Sequence, residues 1–311
     1  MRNGSFRISL VSCTLLLLWL LPATAQSAAC CTSATLSGVG RLKAWEESAV
    51  GVATSWAHSI GNWNARGEWN SFGDTYRESL WRSNFWGIAR VRDDLEFSFA
   101  LPWVRTSRAI PQQSATGNGL GHSQVGLRYE ALAIGQYRGI PGLAILMGVT
   151  IPTGNRPDEA TSNPLRASTT ARGEWATSIA ISMEYAYLPW FVKLDAGMRY
   201  YPAYIHAEHG SQYQLAPLWQ VALSGGLELL EDTLVLGLSL AVESQQESHL
   251  AQQEQQNSAI FSCLPSATLS WQADPHWALV STVSSGIAVD GFGKNTNDAV
   301  TVSLGARYGY F

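Results

Sequence analysis

The stretch GLGHSQVGLRYEALAIGQYRGIPGLAILMGVTIPTGN, residues 119–155, decides the fold of this chain. Apolar side chains alternate with polar or small ones from residue 124 to residue 131, and an apolar side chain occupies every odd position from Leu143 to Ile151. A period of two places successive side chains on opposite faces of a β-strand. The stretch therefore predicts two strands joined by a short turn. Because a soluble sheet can show the same alternation, the rest of the chain has to decide between water and lipid.

The first 25 residues have the pattern of a secretory signal peptide. Arg2 and Arg7 precede an apolar run at 8–21, and Ala23-Thr24-Ala25 supplies the small residues of a cleavage site. The run is shorter than the roughly 20 residues that a membrane-spanning helix needs. A retained helix, and a lipoprotein cleaved before Cys30, are the alternatives. We expect an exported protein that loses residues 1–25.

The composition favours a membrane barrel over a soluble domain. Charged residues make up 14% of the chain, against roughly 25% in ordinary soluble domains. No second apolar run is long enough for a membrane helix, and lipid otherwise accepts only a closed β-barrel. The net charge of −4 offers no basic surface for nucleic acid. These features predict a protein of the outer membrane of a Gram-negative bacterium.

Alternation recurs in about twelve segments between residues 46 and 311, and their connections are alternately short and long. Membrane barrels place short turns on the periplasmic side and long loops outside. The sequence therefore predicts an all-β fold, a transmembrane antiparallel β-barrel of about 12 strands. The short connections are expected near 93–94, 132–141, 187–190, 230–233 and 273–276, and the long ones near 57–75, 105–119, 153–171, 202–214, 245–259 and 289–298.

The apolar parity of each strand is expected to face lipid, with tryptophans at the strand ends forming two aromatic girdles. The outer girdle is expected to contain Trp56, Trp103, Trp175 and Trp219, and the inner one Trp190, Trp271 and Trp277. The strand centres expected against lipid include Val125, Leu127, Ile179, Ile181, Leu236 and Leu238.

Charged residues on the opposite parity are predicted to line the lumen. Charges at membrane depth persist only where they pair or meet water, and Arg128 and Arg199 are the best candidates for pairing with acids, because a guanidinium binds a carboxylate in two places. The predicted set contains seven acidic and four basic residues, so a water-filled lumen is expected to favour cations. The predicted lumen-lining residues are Glu96, Arg128, Glu130, Glu174, Glu184, Lys193, Asp195, Arg199, Glu228, Glu243 and Arg307.

Residues 32–45 have neither strong alternation nor a helical stripe, so we interpret residues 26–45 as a periplasmic N-terminal segment or a lumen plug before the barrel at 46–311. Cys30 and Cys31 are adjacent, and a disulfide between them would be strained. One of the two could bind a periplasmic partner protein. A tail without special chemistry, metal capture and lipidation are the alternatives.

Other chemistry has weaker support in the sequence. His206, Glu208 and His209 could offer ligands to a metal, but no further pair of ligands has suitable spacing, so we expect no metal and no cofactor. His58-Ser59 and His122-Ser123 are adjacent pairs that a strand would turn to opposite faces, and no Gly-x-Ser-x-Gly motif occurs. We therefore do not expect an enzyme.

Several short motifs resemble a known family. They are Gly-Leu-Gly at 119–121, Gly-Leu-Arg-Tyr at 126–129 and the apolar strand that ends in Ile-Pro-Thr-Gly-Asn at 151–155, together with the aromatic C-terminus. This pattern resembles the outer-membrane transporter family associated with phenol-degradation (meta-pathway) operons. The resemblance implies a barrel that is inserted by the barrel-assembly machinery, contacts outer-membrane lipid and transports small hydrophobic or aromatic solutes.

The sequence as a whole predicts a channel or transporter for passive passage of small solutes. A non-conducting structural or adhesive barrel is the first alternative, and a barrel lipid hydrolase is the second.

Overall fold

The computed structural model describes residues 40–73, 76–157, 160, 164–171, 173–205, 212–230, 233–251 and 253–311. Twelve long strands form the barrel in this part of the chain. They are β1 Ser48–Trp63, β2 Arg77–Arg92, β3 Leu95–Ile110, β4 Ser123–Leu132, β5 Gly142–Ile151, β6 Ala176–Tyr187, β7 Trp190–Tyr200, β8 Leu218–Leu229, β9 Leu234–Gln245, β10 Ile260–Gln272, β11 Trp277–Ser284 and β12 Thr296–Tyr310.

Each strand pairs antiparallel with its neighbours in the sequence, and the sheet closes between the first and last strands. β1 pairs with β12 from Ser48 opposite Tyr310 to Trp63 opposite Thr296, and β9 pairs with β10 along its whole length. Closure leaves no edge strand, so every backbone group of the wall can bond within the sheet as lipid requires. The predicted all-β antiparallel barrel of about twelve strands is confirmed.

The outer face of the wall is apolar. Ile179, Ile181 and Leu238 expose 52%, 50% and 67% of their surface. Leu127 and Leu236 are also exposed, whereas Val125 on the same face is half-buried. The opposite parity carries small and polar residues that are buried inside the barrel. Examples are Ala100, Ala144, Ser182, Ser224 and Thr268.

Two of the expected long loops are in large part strand. β1 continues to Trp63 and pairs there with a short strand at Trp69–Ser71, and β3 continues to Ile110 and turns into a strand at Gln113–Leu120. The long connections predicted at 57–75 and 105–119 are therefore shorter than expected, because β1 and β3 extend into those ranges.

Other long connections also contain short strands. Gly293–Lys294 pairs with β10, and four short pieces form a separate small sheet: Tyr204–Ile205, Gln212–Gln214, His249–Leu250 and Gln253–Glu254. Among the described residues, no helix is long and apolar enough to cross a membrane. The predicted signal peptide, Cys30 and Cys31 lie outside the described residues.

Candidate functional site: the interior of the barrel

Residues 40–47, here called the N-terminal segment, enter the barrel at the end that carries the short turns, with Leu42 and Glu46 inside and Trp45 exposed. Leu42 is 2% exposed and Glu46 is completely buried. The backbone of the segment joins the wall at its end, since Glu47 N donates to Tyr310 O at 2.9 Å and Arg90 N donates to Glu47 O at 2.7 Å. The segment therefore enters the lumen directly before β1 begins.

Glu46 forms the most buried ion pair of the described interior. Its two carboxylate oxygens accept hydrogen bonds from both terminal nitrogens of Arg307 on β12, with Nη1 at 2.6 Å from Oε1. Glu46 Oε2 also accepts the backbone N–H of Lys43 at 2.8 Å, which folds the segment into a tight turn. Gly309 allows this approach, because a Cβ at that position would collide with the Glu46 carboxylate. Arg307, predicted to line the lumen, thus binds the N-terminal segment.

The segment is also held by strands two places away from β12 on either side. Arg90 on β2 donates from Nη1 to Ala44 O at 2.8 Å and from Nη2 to Lys43 O at 2.9 Å. The Lys43 ammonium donates to the side-chain oxygen of Gln272 on β10. Contacts with β2, β10 and β12 therefore fix the segment against one side of the lumen.

A cluster of charges surrounds the start of the segment. Arg41 lies 3.9 Å from Glu130 Oε1 and 3.4 Å from Glu184 Oε1. Leu42 N donates to Glu96 Oε1 at 3.3 Å, and the other oxygen of Glu96 lies 3.8 Å from Arg128 Nε. The cluster joins the N-terminal segment to β3, β4 and β6, so charges predicted on separate strands meet around one inserted cation.

Two neighbouring residues of β7 form a separate pair beside this cluster. Lys193 Nζ lies 3.0 Å from Asp195 Oδ2, and both side chains are almost completely buried. Opposite charges at i and i+2 on one strand face the same side, so the pair adds no net charge to the interior. Together with the Arg41 cluster it fills the short-turn half of the barrel with compensated charge.

The long-loop half of the barrel contains a cavity of about 590 Å³. Its wall is mixed, with apolar side chains from several strands beside charged ones. Three predicted residues reach it: Glu174 (6% exposed), Arg199 and Glu243, whose Oε1 accepts a hydrogen bond from Gln220 at 3.1 Å. Its apolar lining includes Leu80, Ala100, Val104, Leu218 and Ile260.

The cavity is roofed partly by the connection between β5 and β6. Arg108 pairs with Glu78 at 2.7 Å and donates to Leu165 O and Arg166 O at 3.1 and 3.0 Å. Next to them Thr170 Oγ1 donates to Leu120 O at 2.6 Å. These bonds hold residues 164–171, here called the roof segment, against the mouth of the barrel.

Tyr76 borders the mouth just before β2 begins. Its hydroxyl donates to Glu78 Oε2 at 3.1 Å. Burial, together with the nearby charge of Glu78, raises the pKa of the Tyr76 phenol to about 12. The phenol therefore stays protonated at neutral pH and continues to donate to the acid that pairs with Arg108.

The interior also contains charges that the sequence interpretation did not assign to the lumen. Arg82 and Arg108 reach the cavity, Arg90 binds the N-terminal segment, and the segment itself contributes Arg41 and Glu46. These cations largely offset the acidic excess of the predicted set. The alternation of β2 already placed Arg82 and Arg90 on one face. A lumen plug was one of the two interpretations of residues 26–45, but the sequence did not indicate which of its side chains would bind the wall.

The remaining predicted residues have other positions. Glu228, half-buried near the short-turn end of β8, donates its backbone N–H to Pro189 O at 2.6 Å. The metal candidates His206, Glu208 and His209 lie outside the described residues, and within the described ranges no group of three His, Cys, Asp or Glu could hold a metal. Cys263 on β10 is a buried free cysteine.

The structure resembles solved bacterial barrels. The COG4313 outer membrane channel from Pseudomonas putida F1 has a TM-score of 0.68 at 13% sequence identity, with 85% of this chain and 96% of that chain covered. The KdgM porin has a TM-score of 0.45 at 8% identity, with 83% and 99% covered. A TodX deltaS2S3 mutant, a monoaromatic hydrocarbon channel, has a TM-score of 0.43 at 9% identity, with 85% and 90% covered. At these identities the likeness concerns the fold alone.

A family model also matches the sequence, although comparison with curated proteins gave no match. The model is described as "Putative MetA-pathway of phenol degradation" and matches residues 58–262, from β1 to β10. The match covers more than half of the chain and includes the whole 119–155 stretch. The chain belongs to this family, as its short motifs indicated.

Proposed function

We propose that this protein is a passive outer-membrane channel for small hydrophobic or aromatic solutes. The observation that carries the proposal is the cavity of about 590 Å³ inside a closed barrel, with apolar and charged side chains on its wall. Pockets that take small organic molecules combine a mainly apolar lining with a few polar groups that orient the ligand. The family's description and the name of the Pseudomonas putida F1 channel support the same function and an outer-membrane location.

The N-terminal segment defines how such a channel would work. It lies across the short-turn half of the lumen, so a solute in the cavity has to pass residues 40–47 before it reaches the periplasm. The segment is held mainly by ion pairs and hydrogen bonds, with Leu42 as its buried apolar contact. It can therefore be displaced without unfolding the wall, and passage would follow its movement.

The barrel strands would contact lipid on their outer face, and their insertion would use the barrel-assembly machinery. Solute would enter from the long-loop side, past the roof segment. No nucleotide or covalent chemistry is part of this proposal. A periplasmic partner at Cys30 or Cys31 stays a prediction.

Uptake into liposomes tests the proposal. Protein from residue 26 onward is reconstituted, and entry of phenol is compared with entry of glucose, a hydrophilic solute of greater size. The proposal predicts that phenol enters faster than in protein-free liposomes and that glucose does not. Equal entry of phenol with and without protein would contradict it and would favour a non-conducting structural barrel.

A further inference from the structure

A concave patch interrupts the apolar outer face of the barrel near the long-loop ends of β1, β2 and β3. It encloses about 550 Å³. Tryptophan rings form the sides of the patch, and small hydroxyl side chains form much of its floor. The outer surface of the barrel is therefore indented between large aromatic rings. The lining includes Trp56, Trp81, Trp103, Ser83, Ser107 and Arg105.

Strand register fixes the arrangement of this patch. Arg105 on β3 lies opposite Trp81 on β2, and Trp81 lies opposite Trp56 on β1. On its other side Arg105 lies opposite Asn118 of the strand at Gln113–Leu120. Residues directly opposite each other in a sheet share a face. Arg105 therefore lies in one outward row with two tryptophans and an amide.

The charge of Arg105 is on the unusual side of the wall. Most charged residues of the strands face inward, and Arg108, three residues further along β3, faces inward and pairs with Glu78. Arg105 is exposed, and within the described residues no carboxylate pairs with it. Tryptophans of a girdle mark the level of the lipid headgroups, where an outward charge costs far less free energy than at the midplane.

We propose that this patch binds the phosphorylated sugar headgroup of an outer-leaflet glycolipid. A guanidinium binds phosphate through two parallel hydrogen bonds, and Arg105 supplies that group at headgroup level. The hydroxyls of Ser83 and Ser107 and the amide of Asn118 suit the sugar, and the tryptophan rings suit its apolar face and the first methylene groups. The inference rests on the orientation proposed above, in which the long loops lie at the outer surface.

The charge of Arg105 favours an anionic lipid over an apolar solute as the occupant of the patch. A neutral hydrocarbon in the patch would remove water from the Arg105 guanidinium and offer no hydrogen bond in return, which costs free energy. A lipid with acyl chains and an anionic headgroup satisfies both the tryptophans and the cation. The patch is therefore better suited to a phosphorylated amphiphile than to a neutral solute.

Native mass spectrometry of the full barrel in detergent tests the proposal. Wild type, Arg105→Gln and Arg138→Gln are each titrated with bisphosphorylated lipid A, dephosphorylated lipid A and phosphatidylglycerol. Arg138 is the matched control, since it is an exposed arginine of the turn at the opposite end of the barrel. Folding of each variant is checked by far-UV circular dichroism, and phenol uptake is measured on the same preparations.

The proposal predicts that Arg105→Gln weakens binding of bisphosphorylated lipid A roughly tenfold, as expected for loss of one charge-assisted contact. Arg138→Gln should bind like wild type, and wild type should bind dephosphorylated lipid A about as weakly as Arg105→Gln binds the phosphorylated form. Equal affinity of wild type and Arg105→Gln would overturn the proposal, as would equal affinity of wild type for phosphatidylglycerol and lipid A. Phenol uptake should be unchanged by Arg105→Gln, so failure of the channel and failure of the lipid site give different results.

Discussion

Glu46 and Arg307 are 261 residues apart in the sequence, yet their side chains form a two-pronged ion pair inside the barrel, with Arg307 Nη1 2.6 Å from Glu46 Oε1. Both side chains are almost fully removed from solvent. Neutralising one partner of a buried pair leaves the other charge uncompensated and costs roughly 3 to 5 kcal/mol. The pair is therefore the main restraint on the N-terminal segment.

Glu46→Gln is expected to loosen the N-terminal segment while leaving the wall intact. Hydrogen exchange should show faster deuterium uptake in peptides that cover residues 40–47, with unchanged protection in β8 and β9. Glu47→Gln is the control, because the Glu47 side chain is exposed and only its backbone joins the sheet. Equal exchange in the two variants would mean that the ion pair does not restrain the segment.

Gly309→Ala should have a similar effect by a steric route, since the new methyl group would collide with the Glu46 carboxylate. We expect several-fold faster phenol uptake into liposomes than with wild type. Gly305→Ala on the same strand is the matched control, as a Cβ there meets its nearest neighbour at 3.4 Å. Uptake that is the same in both variants would argue against displacement of the segment as the step that opens the lumen.

Leu236→Lys is expected to impair membrane insertion. Leu236 is 44% exposed on the outer face, and a lysine at the midplane of that face costs roughly 2 to 4 kcal/mol. Ser239→Lys places the same charge on the inner face of the same strand, where Ser239 Oγ lies 2.6 Å from Ser266 Oγ, and should insert normally. The yield of folded, heat-modifiable protein in outer-membrane fractions measures both, and equal yields would refute the assignment of the two faces.

Arg108→Gln should release the roof segment, because it removes the hydrogen bonds to Leu165 O and Arg166 O. Limited trypsin digestion of the folded protein should then cleave after Arg166 several-fold faster than in wild type. Arg105→Gln on the outward face of the same strand should leave the cleavage rate unchanged. Slow cleavage in both variants would show that other bonds, such as that of Thr170, hold the roof segment by themselves.

The barrel wall could be predicted from the sequence because every second side chain of a strand faces lipid and has to be apolar. Ile179, Ile181 and Leu238 are apolar because they point outward, and that parity identified most of the strands, whereas β1 and β2 have a weak pattern. The strand at Gln113–Leu120 was missed because both of its faces are polar, so its sequence has no hydrophobic period.

The interior was predictable only in part. Lys193 and Asp195 share a face and meet as neighbours on one strand, and Arg128 lies opposite Glu96 in the register of β3 and β4, so parity was enough to suggest such pairs. The partner of Arg307 was not predictable, because Glu46 belongs to a segment of eight residues with no period, and its contacts reach strands far away in the sequence.

Ion conductance in planar bilayers shows whether residues 40–47 close a lumen that otherwise conducts. Two proteins are compared: the chain from residue 26 onward, and a shorter chain that lacks residues 26–45. The shorter chain keeps Glu46, so that Arg307 keeps its partner. The longer chain should show small or no conductance, and the shorter one a several-fold larger, steady conductance. The shorter chain should prefer cations mildly, because the deletion removes Arg41 and Lys43 from the interior. The claim is contradicted if the shorter chain, shown to be folded and inserted, conducts no more than the longer one.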